Sequence, residues 1–130
     1  MVDANPYQRY QQNAIKSASR GELTLMLYNG AIKFIRQGMK LAEEKQIQGA
    51  HNAIMRAQAI ITHLSETLNM DCELSVNLAS LYDYINRRLV AGNMKKDQEL
   101  LEEALGLVEE LRDTWVEALK LTRSNMASGQ

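Results

Sequence analysis

Apolar residues recur along most of the 130-residue chain in steps of three and four, the spacing of an α-helix and not of a strand. The clearest run is Ile47, Ala50, Ile54, Ala57, Ile61, Leu64 and Leu68, a heptad seam that predicts a helix over 47–69. Leu101, Ala104, Val108, Leu111, Trp115 and Ala118 repeat the seam, with Asp97 as cap and an end near Thr122. Between them, Leu74, Leu78, Leu81, Ile85 and Leu89 predict a helix over 73–90, capped by Asp71 and stopped by Gly92-Asn93. Ser19-Arg20-Gly21-Glu22 reads as a capping box: the serine oxygen takes the third helical N–H and the glutamate reaches back to the cap. It opens a helix that runs to about Glu44. Ahead of it, Asn5-Pro6 starts a short helix carrying Tyr7, Tyr10 and Ile15.

Short connections make these helices antiparallel neighbours. The pattern therefore predicts an all-α fold, an antiparallel up-down-up-down four-helix bundle over residues 19–122. A short N-terminal helical leader (1–18) precedes it, and a small, polar tail (123–130) is expected to be disordered.

One helix does not fit a single packed face. In "SRGELTLMLYNGAIKFIRQGMKLAEE" the apolar residues sweep roughly 200° of the helical wheel at about 100° per residue, whereas one contact needs a stripe only somewhat over about 100° wide. The surplus arc is expected to face a partner, on the side of Leu25, Ile32 and Met39. Met26, among Asn29, Lys33 and Gln37, is expected to be exposed. A second anomaly is "LYDYINRRL", with two tyrosines and two arginines in two turns. Asp83 is placed to pair with Arg87 at i, i+4, and Tyr82 and Tyr84 to straddle the core edge with wet hydroxyls.

Composition removes several function classes. Fifteen Lys+Arg against 16 Asp+Glu give a net charge of −1 and a pI near 6.1, which leaves no basic excess for nucleic acid. No apolar run is long enough for membrane insertion, and the first residues lack a secretory signal. The lone Cys72, flanked by Asp71 and Glu73, suits a reducing cytoplasm and a structural role. No nucleotide, metalloprotease or hydrolase motif occurs, and neither His51 nor His63 has the Glu-x-x-His spacing of bundle metal sites. A signalling bundle for phosphotransfer or docking is the alternative reading; a homo-oligomer sealed by the surplus arc is another.

"YQQN", "ELTLMLYNGAIKFI" and "YDYINRRL", in this order and spacing, resemble the flagellin-specific export chaperone family, FliS, from about Tyr7 to Trp115. Departures are small: Arg20 and Gly92 stand where Pro and Ala are common. The resemblance implies a bundle that binds the C-terminal helical region of flagellin, blocks premature polymerisation and delivers its client to the flagellar type III export gate. It implies no enzymatic activity, no cofactor and no metal. It also implies an N-terminal segment that can lie over the binding surface and move aside. Client contacts are then expected from Tyr7, Tyr10 and Ile15 of the leader, from Leu25, Tyr28, Ile32 and Met39, and from Tyr82 and Tyr84. A weak homodimer is a further expected state.

Overall fold

The computed structural model describes residues 6–127, without the side chains of residues 7, 11, 14–17, 126 and 127. These residues form five helices: α1 (Pro6–Ser17), α2 (Arg20–Glu43), α3 (Ile47–Glu66), α4 (Glu73–Lys95) and α5 (Gln98–Ala127). The capping box forms as expected. Ser19 Oγ accepts from the Glu22 N–H at 3.2 Å, and Glu22 Oε1 accepts from the Ser19 N–H at 3.3 Å. Asp97 caps α5 by accepting from the Glu99 N–H at 2.9 Å. The all-α expectation holds.

The four long helices close into a ring. Helix α2 packs on α3 and α5, and α4 packs on the same two from the opposite corner. Among the described residues α1 shares no extended interface with any of them. The core holds Ile35, Ile54, Ile61, Ile85, Leu89, Leu101 and Val108, all fully buried. Three of the predicted seams supply it. Their outermost members do not reach it: Ile47, Leu74 and Ala118 are exposed, because each lies near the end of a helix or beyond the contact zone.

The wide arc of α2 is explained by this closure. On one flank, Gly30, Gly38 and Leu41 meet Ile60, Ile54 and Gly49 of α3. On the other, the Gly21 carbonyl accepts from Trp115 Nε1 at 2.8 Å, Asn29 accepts from Arg112 at 3.4 Å, and Arg36 pairs with Glu109. At about 100° per residue, Leu25, Ile32 and Met39 fall within the arc spanned by Gly21, Asn29 and Arg36, so they lie on the flank covered by α5. The expectation that they face outward is corrected: Ile32 is 2% exposed and belongs to the core, Met39 packs against it, and Leu25 is half-buried. The face of α2 turned to solvent carries Met26, Lys33 and Gln37, all exposed as expected.

Helix α4 also differs from its expected limits. It runs through Gly92 and Asn93 to Lys95 and stops at Lys96, whose φ of 51° is left-handed. Gly92 is a packing residue. A Cβ there would stand 2.8 Å from Leu101 Cδ2, so its absence lets α4 approach α5. The N-cap is Cys72, without a side-chain bond, in place of Asp71. Helix α5 continues past Thr122 to Ala127.

The seam between α2 and α3 yields a stability prediction. Gly38→Ala gains about 1 kcal/mol of helix propensity. It also sets a Cβ 2.6 Å from Cγ1 of the stiff, branched Ile54. Overpacking of that kind costs about 1–3 kcal/mol. The variant is expected to melt lower in urea and heat. Gly106→Ala, with nothing within 4 Å of the new Cβ, is expected to raise stability by about 0.5–1 kcal/mol.

Candidate docking surface

Among the described residues no group of three or more His, Cys, Asp or Glu side chains could hold a metal ion. Cys72, His51 and His63 are exposed, and His51 Nδ1 shares a hydrogen bond with the Asn93 amide.

The residues proposed from sequence for client contact do not form one surface. Tyr7 and Ile15 fall among the side chains outside the description. Tyr10 is 70% exposed on α1. Tyr28, Ile32 and Tyr82 are core residues. The hydroxyl of Tyr82 is not wet: it shares a 2.6 Å hydrogen bond with the Tyr28 hydroxyl, across the diagonal of the bundle. Burial raises both phenols above their ordinary 10.0; for Tyr28 the bond from Tyr82 partly offsets the effect, and for Tyr82 the bond and the Tyr28 charge add to it. Tyr84 is on the outside, bonded to Glu103 and stacked under the Arg88 guanidinium, whose carbon lies 5.1 Å from the ring centre. Asp83 and Arg87 pair as expected, at 2.8 Å.

The exposed apolar side chains gather elsewhere, along the outer edge of α3 and α4. Two hydrogen bonds fix the register of this antiparallel pair: Asn86 Nδ2 to Thr62 Oγ1 at 3.1 Å, and Asn93 Nδ2 to His51 Nδ1 at 3.0 Å. Met55 and Val90 lie between these two bonds, one on each helix, and Met94 is level with His51. All three are exposed, Met94 by 81%. Val76 continues the line toward the other end of α4, where Met70 and Leu74 are exposed as well. Val76, Asp83 and Val90 are seven residues apart, and His51, Met55 and Thr62 are spaced by four and seven. Each helix thus presents a second set of residues beside its core seam, and the two hydrogen bonds bring Met55 of α3 level with Val90 and Met94 of α4 along the seam. This second repeat is the sequence signal that the core seams obscured. Beneath the groove, the Gln58 Oε1 and Asn86 Oδ1 acceptors are buried without a hydrogen-bond partner.

The family model described as "Flagellar protein FliS" matches residues 3–122 of this chain. The chain belongs to the FliS family. The flagellar secretion chaperone FliS of Bacillus subtilis is 43% identical over 125 residues, covering 96% of this chain and 94% of that protein. FliS of Escherichia coli is 31% identical over 126 residues, covering 92% and 93%. The flagellar secretion chaperone FliSB of Pseudomonas aeruginosa is 33% identical over 113 residues, covering 82% and 90%. The FliS match takes in α1 and nearly all of the bundle. The two stretches that carry the resemblance, "ELTLMLYNGAIKFI" and "YDYINRRL", contain Tyr28 and Tyr82. Those stretches meet through the buried hydroxyl pair, so in this FliS chain they mark the core more than the outer groove.

The tyrosine pair is testable. Tyr28→Phe and Tyr82→Phe each leave one buried hydroxyl without its partner, at about 1–3 kcal/mol. The double variant is expected to lose less than the sum, measured as urea midpoints in a double-mutant cycle. Alkaline pH should act through the same pair. Both phenols are raised in the folded state, so the unfolded chain releases its protons first. Their contribution is fully present below about pH 10 and declines as pH rises beyond it.

Proposed function

We propose that this chain is a flagellar export chaperone, not an enzyme, that holds the C-terminal helical region of flagellin in the cytoplasm. In this reading it prevents premature polymerisation and passes its client to the export gate. Support comes from family membership, from relatives named flagellar secretion chaperones, and from one physical observation: the apolar line of Met55, Val90 and Met94 outside a complete core. Exposed apolar side chains in a row suit a partner helix with its own apolar stripe, laid into the groove between two helices. Methionine is well suited to this, since its unbranched side chain adapts to the surface it meets. No helix among the described residues is long and apolar enough to cross a membrane.

The leader fits a secondary role in this reading. Among the described residues α1 has no extended interface with the long helices and Tyr10 is exposed on it, which suits a segment (1–18) that covers apolar surface in the absence of client and yields to it. The bundle proper, 19–122, would carry the client, and a weak homodimer would bury the same apolar line.

Co-purification with full-length and C-terminally truncated flagellin tests the reading directly: only the full-length protein should be retained. Met55→Asp and Val90→Asp are expected to weaken binding by tenfold or more while melting close to the parent, because each puts a charge on an exposed contact site. Ile32→Asp should instead unfold the bundle, since a carboxylate in the core has no partner. Titration of a flagellin C-terminal peptide, paired with melts, separates the two effects. Retention of truncated flagellin, or full affinity in Val90→Asp, would sink the proposal.

A further inference from the structure

Phe34, the one phenylalanine of the chain, packs against the core but is not closed into it. At about 100° per residue it falls between Gly38, which meets Ile54 of α3, and Gln37, which is exposed. It therefore lies at the outer edge of the α2–α3 seam. A cation from each helix is drawn to its ring: Lys33 Nζ is 5.4 Å and the Arg56 guanidinium carbon 5.5 Å from the ring centre. One turn away, Gly30 leaves room for Ile60, whose Cδ1 would stand 3.3 Å from a Cβ there. Ala59, beside Ile60, is exposed and adds a single carbon. A shallow apolar floor thus runs between a lysine on one helix and an arginine on the other.

Among the described residues neither cation has a carboxylate at ion-pair distance. The sequence supplies none nearby. Helix α2 carries no Asp or Glu between Glu22 and Glu43, and α3 carries none before Glu66, its last residue. The exposed charges on this edge are Lys33, Lys40 and Arg56, all positive. The acids concentrate on α5, which stands diagonally across the ring from α3: eight occur from Asp97 to Glu117, against Arg112 as the one cation. A net charge of −1 conceals this separation.

We propose that the outer edge of α2 and α3 around Phe34, Lys33 and Arg56 is a second docking surface, one that takes an acidic amphipathic helix of a partner protein. Charge complementarity commits it to that class, since the edge offers cations and a floor but no acid to pair them. An apolar side chain of the partner would lie over Gly30 and Phe34. Carboxylates bordering its stripe would reach Lys33 and Arg56. Residues three or four apart on a helix hold their Cβ atoms about 5–6 Å apart, a spacing suited to two cations that share one ring. Arginine can meet a carboxylate with two parallel N–H···O bonds. Both long side chains already rest against the aromatic ring, so less freedom is lost when they pair. This edge and the Met55–Val90 line lie on opposite flanks of α3, and the inference does not rest on the function proposed above.

The probe is a helical peptide of Leu, Ala and Glu, with Glu residues bordering one apolar stripe, titrated into the full chain by fluorescence anisotropy. The same peptide with Gln for Glu should bind at least tenfold more weakly. So should the Glu peptide to the Lys33→Gln/Arg56→Gln chain, and to Ala59→Asp, which sets a competing carboxylate on an exposed site beside the floor. Arg87→Gln and Val90→Asp, away from this edge, should bind it as the parent does. A Lys33→Glu/Arg56→Glu chain should prefer the peptide remade with Lys for Glu. Melts of each variant confirm that the bundle is intact. Equal binding of the Glu and Gln peptides, or parental affinity in Lys33→Gln/Arg56→Gln, overturns the proposal. Tighter, Arg56-dependent binding of single-stranded DNA or of phosphatidylglycerol vesicles assigns the edge to another class and overturns it too. An Arg56-dependent dimer in sedimentation would make the acidic α5 of a second copy the occupant, again against the proposal. A flagellin C-terminal peptide should bind Arg56→Gln as it binds the parent; its loss there would overturn the separation of the two surfaces.

Discussion

Each of the four long helices touches two others, and the rest of the structure answers to that requirement. A helix in a closed ring must be apolar on two flanks as well as toward the centre. In α2 this means Leu25, Ile32, Met39 and Gly21 on the α5 side and Gly30 and Gly38 on the α3 side, where the backbones come close. The glycines remove side chains at the contact, and Ile54 and Ile60 fill the space so released. Polar groups drawn into the centre by the same closure must find partners there. Tyr28 and Tyr82 meet that demand with each other, joining two helices that stand diagonally across the ring.

The remaining polar contacts sit between neighbours and have a different character. The α2–α5 seam is laced on its outside by Arg36 with Glu109 and by Arg112 with Asn29. Exposed pairs of this kind contribute about 0–1 kcal/mol each, so burial and not charge holds the seam. Among the described residues the α3–α4 seam has no comparable ion pair and relies on neutral amides, a hydroxyl and an imidazole. It is also the seam with two unpaired buried acceptors and with exposed methionine at its edge. The bundle is thus unequal around its circumference.

Much of the fold could be read from the residue order. The heptad seams, the Ser19–Glu22 box and the Asp97 cap are local signals, and local geometry honoured them. The site was less legible, for a reason visible in α2. A wide apolar arc looks the same on a helical wheel whether its flanks meet two neighbours or one neighbour and solvent. Ile32 was therefore assigned to the wrong side. Gly92 misled in another way: glycine after a run of apolar residues reads as a stop, but here it admits Leu101 and the helix continues for three residues. The stripe of Val76, Val90 and Met94 passed unnoticed because Ile85 and Leu89, one step round the helix, gave a stronger and sufficient pattern.

Met55 and Met94 bear on how selective the outer groove can be. A pocket lined by rigid, branched or polar groups distinguishes one side chain from another, because a wrong shape leaves a void or an unmatched donor. Thioether chains with three rotatable bonds do neither: they refit to whatever apolar surface arrives. Where Met55 and Met94 line it, the proposed docking groove would read the width and length of an apolar stripe more than the order of its residues, while the branched Val76 and Val90 keep a fixed shape. A partner held against the methionines of the proposed groove could then change residues there over evolutionary time, provided each keeps its hydrophobic character, without Met55 and Met94 having to change in step.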